Sequence, residues 1–165
     1  MRILFLSEPL TILLCFIIWP IIQTGCAFFC LYLPNRCFSP NYWIYKAHRF
    51  EREGQIYQTI FHVKKWKHLL PDGGVVWKKR GFKKKHLQHF DQATLERFLY
   101  ESCRGEATHW LPILLFWVFF LFTPAYVGWI MLGYSLLVNV PCIIVQRYNR
   151  PRITRYLDVL MKRTS

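Results

Sequence analysis

Two long uncharged stretches dominate the pattern of apolar and polar positions along the chain. The first runs from Pro9 to Pro34 and the second from Trp110 to Gln146, and neither contains Asp, Glu, Lys or Arg. A single helix needs about 20 apolar residues to cross a bilayer. The first stretch is therefore long enough for one transmembrane helix, whereas the second is too long for one straight crossing.

A break near the middle of the second stretch carries Pro124 and Gly128, which favours a turn between two helices. We therefore predict a hairpin that enters and leaves the membrane on the same side. Its two ends are polar, with Glu101 to His109 leading in and Arg147 to Arg152 leading out. This pattern predicts an all-α membrane protein with about three transmembrane helices, one N-terminal span plus the hairpin.

The segment between the two stretches, residues 36 to 109, is basic but too apolar for a plain loop. Its aromatic and basic residues alternate at spacings typical of amphipathic helices that lie in the membrane interface. Asp91 is a candidate N-cap for one more helix. Apolar residues recur after it at helical spacing, namely Leu95, Phe98, Leu99 and Cys103. We expect this helix to run into the hairpin.

Composition and charge narrow the class of protein further. The 165 residues are 53% hydrophobic and yet carry a net charge of +13. Apolar and basic runs are segregated, which is typical of a membrane protein with cationic interfacial segments and unlike a nucleic-acid binder. We predict a single membrane domain, with residues 9–34 as the N-terminal span or a signal-like segment, 36–109 as the basic segment, 110–146 as the hairpin and 147–165 as a basic tail.

The basic residues also predict an orientation. Fifteen of the 22 Lys and Arg residues lie between residues 36 and 109, and six lie in the tail from Arg147 onwards. Cytoplasmic segments of membrane proteins carry an excess of these residues. We therefore expect a multi-pass protein of the cell membrane whose central segment and C-terminus are cytoplasmic and whose N-terminus is outside. One span plus one hairpin gives the same parity.

The first candidate for chemistry lies at the entrance to the hairpin. Glu106 and His109 are three residues apart, so they are neighbours on a helix, where a carboxylate can fix the tautomer of an imidazole and raise its basicity. His109 is therefore a candidate general base for a hydroxyl group. Arg104 precedes the pair as a candidate for substrate binding. The alternative interpretation is a charge cluster that ends the span.

The second candidate is the sequence H-x-x-x-D-G from His68 to Gly73. It is similar to the short signature of soluble acyltransferases of the chloramphenicol acetyltransferase and condensation-domain type, in which the histidine is the base and the aspartate holds the local structure. His68 is thus a rival base, braced by Asp72. A basic turn that touches lipid headgroups is the alternative.

The third candidate is the arginine-rich start of the tail. Arg147, Arg150 and Arg152 present planar forks of donors that suit phosphate or carboxylate, and Asn149 between them can position a polar group. Lys67 is a further candidate cation. A stop-transfer cluster on anionic lipid remains the alternative. His86 and His89, next to Asp91, follow a run of lysines and are more typical of a helix surface. We predict no metal and no cofactor.

Three motifs resemble those of a known family. They read K-W-K-H-x-x-x-D-G from Lys65 to Gly73, E-x-x-R-x-E-x-x-H-W from Glu101 to Trp110, and N-V-P-x-I-I-V-Q-R-Y-N-R-P-R from Asn139 to Arg152. From about Phe50 onwards the chain is similar to the glycosyl-4,4'-diaponeurosporenoate acyltransferases of the staphyloxanthin carotenoid pathway. The resemblance implies transfer of a fatty acyl group onto a sugar hydroxyl of a glycosylated C30 carotenoid at the cell membrane, as the last step of that pathway.

Together these features predict a membrane acyltransferase. In the hypothesis, His109, oriented by Glu106, takes the proton of a glycolipid hydroxyl that attacks an acyl thioester. The expected partners are an acyl thioester donor, a glycosylated carotenoid or another glycolipid as acceptor, and the lipid bilayer, with no nucleic acid. Two alternatives stay open: an acyltransferase for a different glycolipid, and a non-catalytic membrane anchor or assembly protein that binds anionic lipid.

Overall fold

The computed structural model describes residues 3–70 and 92–164, and within these ranges the chain forms helices and turns without a strand. We label the α-helices of these ranges α1 (Glu8–Tyr32), α2 (Gln55–Phe61), α3 (Val63–Trp66), α4 (Gln92–Leu114) and α5 (Ala125–Thr164). Shorter 3₁₀ segments occupy Asn35–Phe38, Arg49–Gly54, Lys67–Leu69 and Leu115–Leu121. The all-α prediction is therefore confirmed.

Two helices of the described ranges are long and apolar enough to cross a membrane. The most apolar 18-residue window of α1 has a mean hydropathy of 2.1, and that of α5, within Ala125–Lys162, has one of 1.8. Large apolar side chains of both helices point outward, among them Phe16 at 76% exposure and Leu137 at 74%. Such surface is unfavourable in water but not in lipid. These helices suggest a membrane protein, and the predicted count of three spans is loosely consistent with them.

The first arm of the hairpin is less regular than the pattern predicted. Helix α4 ends at Leu114 and continues as the 3₁₀ segment Leu115–Leu121 before the break. Pro124 marks that break, because α5 begins at the next residue. Gly128, which we expected in the turn, instead lies inside α5. An added Cβ there would lie 2.6 Å from the ring of Phe120, so this glycine allows close packing rather than a turn.

The chain divides into two compact units. The first comprises Met1–Tyr32 and Ala107–Cys142, and the second comprises Leu33–Glu106 and Ile143–Ser165. In the first unit, Trp19, Phe119 and Phe122 form a buried apolar cluster. The Trp19 and Phe119 ring centroids are 6.3 Å apart. This aromatic packing holds the break of the hairpin against α1.

In the second unit, α4 packs on the tail of α5 through the face that the sequence predicted. Leu95 and Leu99 form a buried cluster with Leu157. Phe98 and Cys103, at the other positions of the predicted stripe, are also buried. The amphipathic helix is thus confirmed. Its candidate cap Asp91, the turn with Asp72 and Gly73, the lysine run and the pair His86 and His89 lie outside the described residues.

Between Arg49 and Leu69 the basic segment consists of short helical pieces. The φ angles of Arg52 and Glu53 are 46° and 54°, that of Gly54 is 80°, and that of His62 is 50°. These left-handed residues interrupt the α-helical backbone. This stretch therefore folds as the 3₁₀ turn Arg49–Gly54 followed by the short helices α2 and α3.

Candidate functional site

A buried network of carboxylates and arginines lies in the second unit. Glu106 on α4 is fully buried. The Nε of Arg147 donates to Glu106 Oε1 at 2.7 Å, and its Nη1 donates to Glu51 Oε1 at the same distance. The third nitrogen, Nη2, donates to the carbonyl of Ile44 at 2.6 Å. The guanidinium of Arg147 therefore bridges two carboxylates from distant parts of the chain.

Arg150 completes the network from the next turn of α5. Its Nη2 donates to Glu106 Oε2 at 2.7 Å and to the carbonyl of Ser102 at 3.2 Å, while its Nη1 donates to the carbonyl of Tyr45 at 2.6 Å. Arg147 and Arg150 are three residues apart, which puts both on one face of α5. Each oxygen of Glu106 thus accepts from a different arginine.

Glu51 is held by its own loop as well as by Arg147. The backbone N–H of His48 donates to Glu51 Oε2 at 2.8 Å, and the hydroxyl of Tyr57 donates to Oε1 at 2.5 Å. Burial alone would raise the pKa of Glu51, but the hydrogen bonds from Tyr57, Arg147 and His48 outweigh it, and the pKa lies below its ordinary value. Burial and the bond to Glu51 raise the pKa of Tyr57, so the proton stays on the phenol.

The network is electrically balanced, since two carboxylates face two guanidinium groups. Its ion pairs join side chains that are 14% exposed or less. For buried charges, the ion pair compensates for part of the hydration that each group loses on burial. The structure thus brings the predicted site residues Glu106, Arg147 and Arg150 together. The described hydrogen bonds of the two arginines go to carboxylates and carbonyls of the protein itself.

Arg104 also pairs within the protein. It forms an ion pair with Glu101, one turn earlier on α4, and its Nη2 donates to Asn35 Oδ1 at 2.5 Å. Its guanidinium carbon lies 5.1 Å from the centroid of the Phe38 ring. Arg104 thereby ties α4 to the 3₁₀ segment Asn35–Phe38.

A second set of predicted residues meets around Tyr148 in the same unit. Lys67 Nζ donates to Asn149 Oδ1 at 3.3 Å and lies 5.3 Å from the centroid of the Tyr148 ring. The guanidinium carbon of Arg152 lies 3.7 Å from the same centroid, and its Nη1 donates to the Tyr148 carbonyl. Two cations and an amide thus meet at one aromatic side chain.

In the first unit, His109 belongs to a polar cluster among apolar helices. Its Nδ1 lies 2.9 Å from Asn139 Oδ1, which also accepts a hydrogen bond from Gln23 Nε2 at 3.1 Å. Asn139 Nδ2 donates to the carbonyl of Ser135 at 3.0 Å. Asn139 is fully buried. Ionisable and amide side chains in such surroundings are unfavourable without partners and commonly functional.

The hydrogen bonds of Asn139 define the tautomer of His109. The Ser135 carbonyl can only accept, so the Asn139 nitrogen must face it and the Asn139 oxygen must face His109. An oxygen acceptor requires the N–H of a neutral imidazole to be on Nδ1. The basic lone pair of neutral His109 is therefore on Nε2, which is the arrangement that a general base needs.

Comparison with known proteins identifies the family. The family model described as glycosyl-4,4'-diaponeurosporenoate acyltransferase matches residues 41–159. The chain belongs to this family. Proteins named glycosyl-4,4'-diaponeurosporenoate acyltransferase from the Staphylococcus aureus strains USA300, NCTC 8325 and Newman are 35% identical to it over 153 residues, which cover 93% of this chain and 92% of each relative. No solved structure matches the chain.

The glycosyl-4,4'-diaponeurosporenoate acyltransferase match confirms the resemblance found in the sequence, and its residues 41–159 include Glu106, His109 and Asn139. The predicted pair of Glu106 and His109 has different described partners, since Glu106 binds the arginines and His109 binds Asn139. The rival base His68 is exposed at the end of the described segment. Asp72, its predicted brace, lies outside the described residues.

Sequence reasoning missed Asn139, Gln23, Glu51 and Tyr57. For Asn139 a usable indication exists, because a lone amide in an apolar stretch needs a polar partner. Gln23 carries the same indication in the first span. Glu51 and Tyr57 carry none, because acidic and phenolic side chains are ordinary in an interfacial segment.

Proposed function

We propose that this chain is a membrane acyltransferase that transfers a fatty acyl group onto a sugar hydroxyl of a glycosylated C30 carotenoid of the glycosyl-4,4'-diaponeurosporenoate type. The observation that carries the proposal is the match to relatives with this name over nearly the whole length of both chains. The two apolar helices support a location in the membrane, where such an acceptor dissolves.

His109 is the proposed general base. Its bond to Asn139 supports the choice, because that bond leaves the lone pair of the neutral imidazole on Nε2. His68 remains the rival, and it is exposed. A base that serves an acceptor dissolved in lipid is better placed among apolar helices than on an exposed 3₁₀ segment, and this favours His109.

The chemical step follows from these roles. The sugar hydroxyl gives its proton to Nε2 of His109 while its oxygen attacks the acyl carbonyl carbon of the thioester donor. The tetrahedral intermediate then collapses, the new ester C–O bond remains, and the C–S bond breaks. The leaving thiolate takes the proton back from the imidazolium, so the enzyme returns to its starting state.

The proposed topology is multi-pass, with the N-terminus outside and the central segment and C-terminus in the cytoplasm. The excess of Lys and Arg in residues 36–109 and in the tail supports it. In this orientation a soluble acyl donor reaches the basic segment from the cytoplasm, while the acyl chain and the carotenoid stay in lipid.

The test is mass spectrometry of lipid extracts from cells with and without the chain. We expect the chain to produce a fatty-acylated glycolipid and to consume the form that is one acyl group lighter. An unchanged lipid profile would contradict the acyltransferase proposal and favour the non-catalytic anchor. A product with another lipid moiety would place the chain on a different glycolipid.

The same assay separates the two histidines. We expect His109→Ala to lower product formation by about 10²- to 10⁴-fold, and His68→Ala to leave most of it. Membrane fractions must contain both variants at the level of the unchanged chain. If His68→Ala abolishes the product and His109→Ala does not, the base is misassigned although the function stands.

A further inference from the structure

The tail of α5 and the 3₁₀ segment Lys67–Leu69 together form a cationic cluster that differs from the buried network. It consists of Lys67, Asn149 and Arg152 around Tyr148, and we call it the Tyr148 cluster. Lys67 Nζ lies 3.3 Å from Asn149 Oδ1, and both cations lie near the Tyr148 ring, at 5.3 Å and 3.7 Å from its centroid. Cations favour the face of an aromatic ring, so Tyr148 holds both in place.

The charges of the Tyr148 cluster are not balanced within the described part of the chain. Arg104, Arg147, Arg150 and Arg155 each form an ion pair with a glutamate. Among residues 3–70 and 92–164, the ion pairs include neither Lys67 nor Arg152. Burial, followed by the positive charges of Arg152 and Lys64, lowers the pKa of Lys67. A bound anion would reverse this unfavourable arrangement.

Gly54 shows that the backbone makes room for Arg152. Its φ of 80° is one that side chains disfavour, and an added Cβ would lie 3.2 Å from Arg152 Nη1 and 3.1 Å from the carbonyls of Arg147 and Tyr148. Any larger residue would push on the guanidinium. The loop Arg49–Gly54 therefore approaches α5 closely while leaving Arg152 in position.

We propose that the Tyr148 cluster binds a phosphate group of the acyl donor. The guanidinium fork of Arg152 suits two phosphate oxygens, Lys67 adds a point charge, and the amide of Asn149 adds an N–H donor. The identification of the ligand as the donor rests on the proposed acyltransferase function. Two sources share this chemistry: a coenzyme A thioester, which carries phosphates at its soluble end, and a phospholipid, which carries one beside its acyl esters.

The test measures binding without turnover. The full chain, purified in a neutral detergent, is titrated with coenzyme A, which carries phosphates but no acyl group. We expect Arg152→Ala and Lys67→Met each to weaken binding by about 10- to 100-fold, the range of a lost charge-assisted hydrogen bond. Arg155→Ala and Lys65→Met remove the same charge from exposed neighbours and should change it less than about threefold.

Arg152→Lys keeps the charge and loses the fork, so binding should weaken even when folding is unaffected. A second arm uses native mass spectrometry to count the phosphatidylglycerol molecules that each variant retains from mixed phosphatidylglycerol and phosphatidylcholine micelles. Weaker coenzyme A binding in Arg152→Ala and Lys67→Met identifies a soluble donor. If the unchanged chain does not bind coenzyme A measurably, and these two variants retain less phosphatidylglycerol than it does, the donor is a phospholipid. If neither ligand distinguishes them from Arg155→Ala and Lys65→Met, the proposal is wrong.

The result is independent of catalysis. His109→Ala should bind the phosphate ligand as the unchanged chain does, because His109 is not part of the Tyr148 cluster. A chain that binds through Lys67 and Arg152 but acylates no glycolipid would contradict the proposed function and leave the phosphate site standing. If Arg152→Ala acylates the glycolipid as fast as the unchanged chain at every donor concentration, the proposed function stands and the phosphate site is contradicted.

Discussion

Replacing Glu106 with alanine should destabilise the protein, because Glu106 is the centre of the buried network. It is fully buried and accepts from Arg147 and from Arg150, each at 2.7 Å. Alanine removes both acceptors and leaves two guanidinium groups, 14% and 5% exposed, without that carboxylate. Breaking a buried ion pair from one side costs about 3–5 kcal/mol, because the remaining charge stays buried without its partner.

The measurement is thermal unfolding of the purified protein in detergent. For a chain of this size 1 kcal/mol corresponds to roughly 2–4 °C, so Glu106→Ala should lower the melting temperature by on the order of 10 °C. Glu53→Gln is the matched control, since it removes a carboxylate whose ion pair with Arg155 is about 62% exposed. Such a surface pair contributes about 0–1 kcal/mol.

Glu106→Gln separates this role from the one that the sequence predicted. Glutamine keeps one oxygen but turns an amide NH₂ towards an arginine donor, so it should also lower the melting temperature. If Glu106→Gln melts like the unchanged protein and yet loses acyl transfer, the carboxylate acts on His109 and the structural reasoning is refuted. A double-mutant cycle of Glu106→Ala and Arg150→Ala adds a check. Because the two residues form one ion pair, the double variant should lose less stability than the sum of the two single losses.

Three further predictions concern single positions. Asn139→Leu should lower kcat by on the order of tenfold or more in the acylation assay, because His109 loses the acceptor that fixes its tautomer; an unchanged kcat would remove Asn139 from the site. Because the pKa of Glu51 is lowered in the folded protein, its ionised carboxylate stabilises the fold at pH values above the ordinary carboxylate pKa. This contribution is lost as the pH falls through the lowered pKa. In a plot of melting temperature against pH, Glu51→Gln should therefore show a smaller decrease at acid pH. Gly54→Ala should cost about 1–3 kcal/mol in thermal unfolding because of its φ of 80°, whereas Gly25→Ala, which has open space around it, should be neutral or stabilising.

The helices could be predicted because their causes are local. Uncharged runs give α1 and the part of α5 up to Gln146, and the spacing of Leu95, Leu99 and Cys103 gives the buried face of α4. The break at Pro124 follows from the missing N–H of proline. The position of Gly128 could not be predicted, because its packing against Phe120 depends on how the two arms of the hairpin meet.

The pairing of polar and charged side chains could not be predicted, because its causes are not local. Glu51 and Arg147 are 96 residues apart, and His109 and Asn139 are 30 apart. With nine acidic and 22 basic residues, the sequence leaves almost every pairing open. The spacing of three residues predicts a contact between Glu106 and His109 because it considers only neighbours on one helix. An arginine from another helix can reach the Glu106 side chain equally well, and Arg147 and Arg150 of α5 do so.

The geometry of α5 explains why three arginines that look alike in sequence, Arg147, Arg150 and Arg152, differ in structure. Arg147 and Arg150 lie on one face of the helix, and Asn149 and Arg152 lie on roughly the opposite face, since a shift of two residues turns a helix by more than half a turn. In the described part of the chain, Glu51 and Glu106 form ion pairs with Arg147 and Arg150 of the first face. Arginine stays charged at any accessible pH, so a guanidinium on that face needs a carboxylate, and one on the other face can take an anion from outside.

This division predicts opposite outcomes for the same substitution. Arg147→Lys keeps the charge but cannot bridge Glu51, Glu106 and the Ile44 carbonyl with the geometry of a guanidinium, so it should lower the melting temperature. Arg152→Lys should melt like the unchanged protein and lose phosphate affinity. If both variants have the same melting temperature and the same phosphate affinity, the two faces do not differ, and the positive charge of the tail alone explains its role.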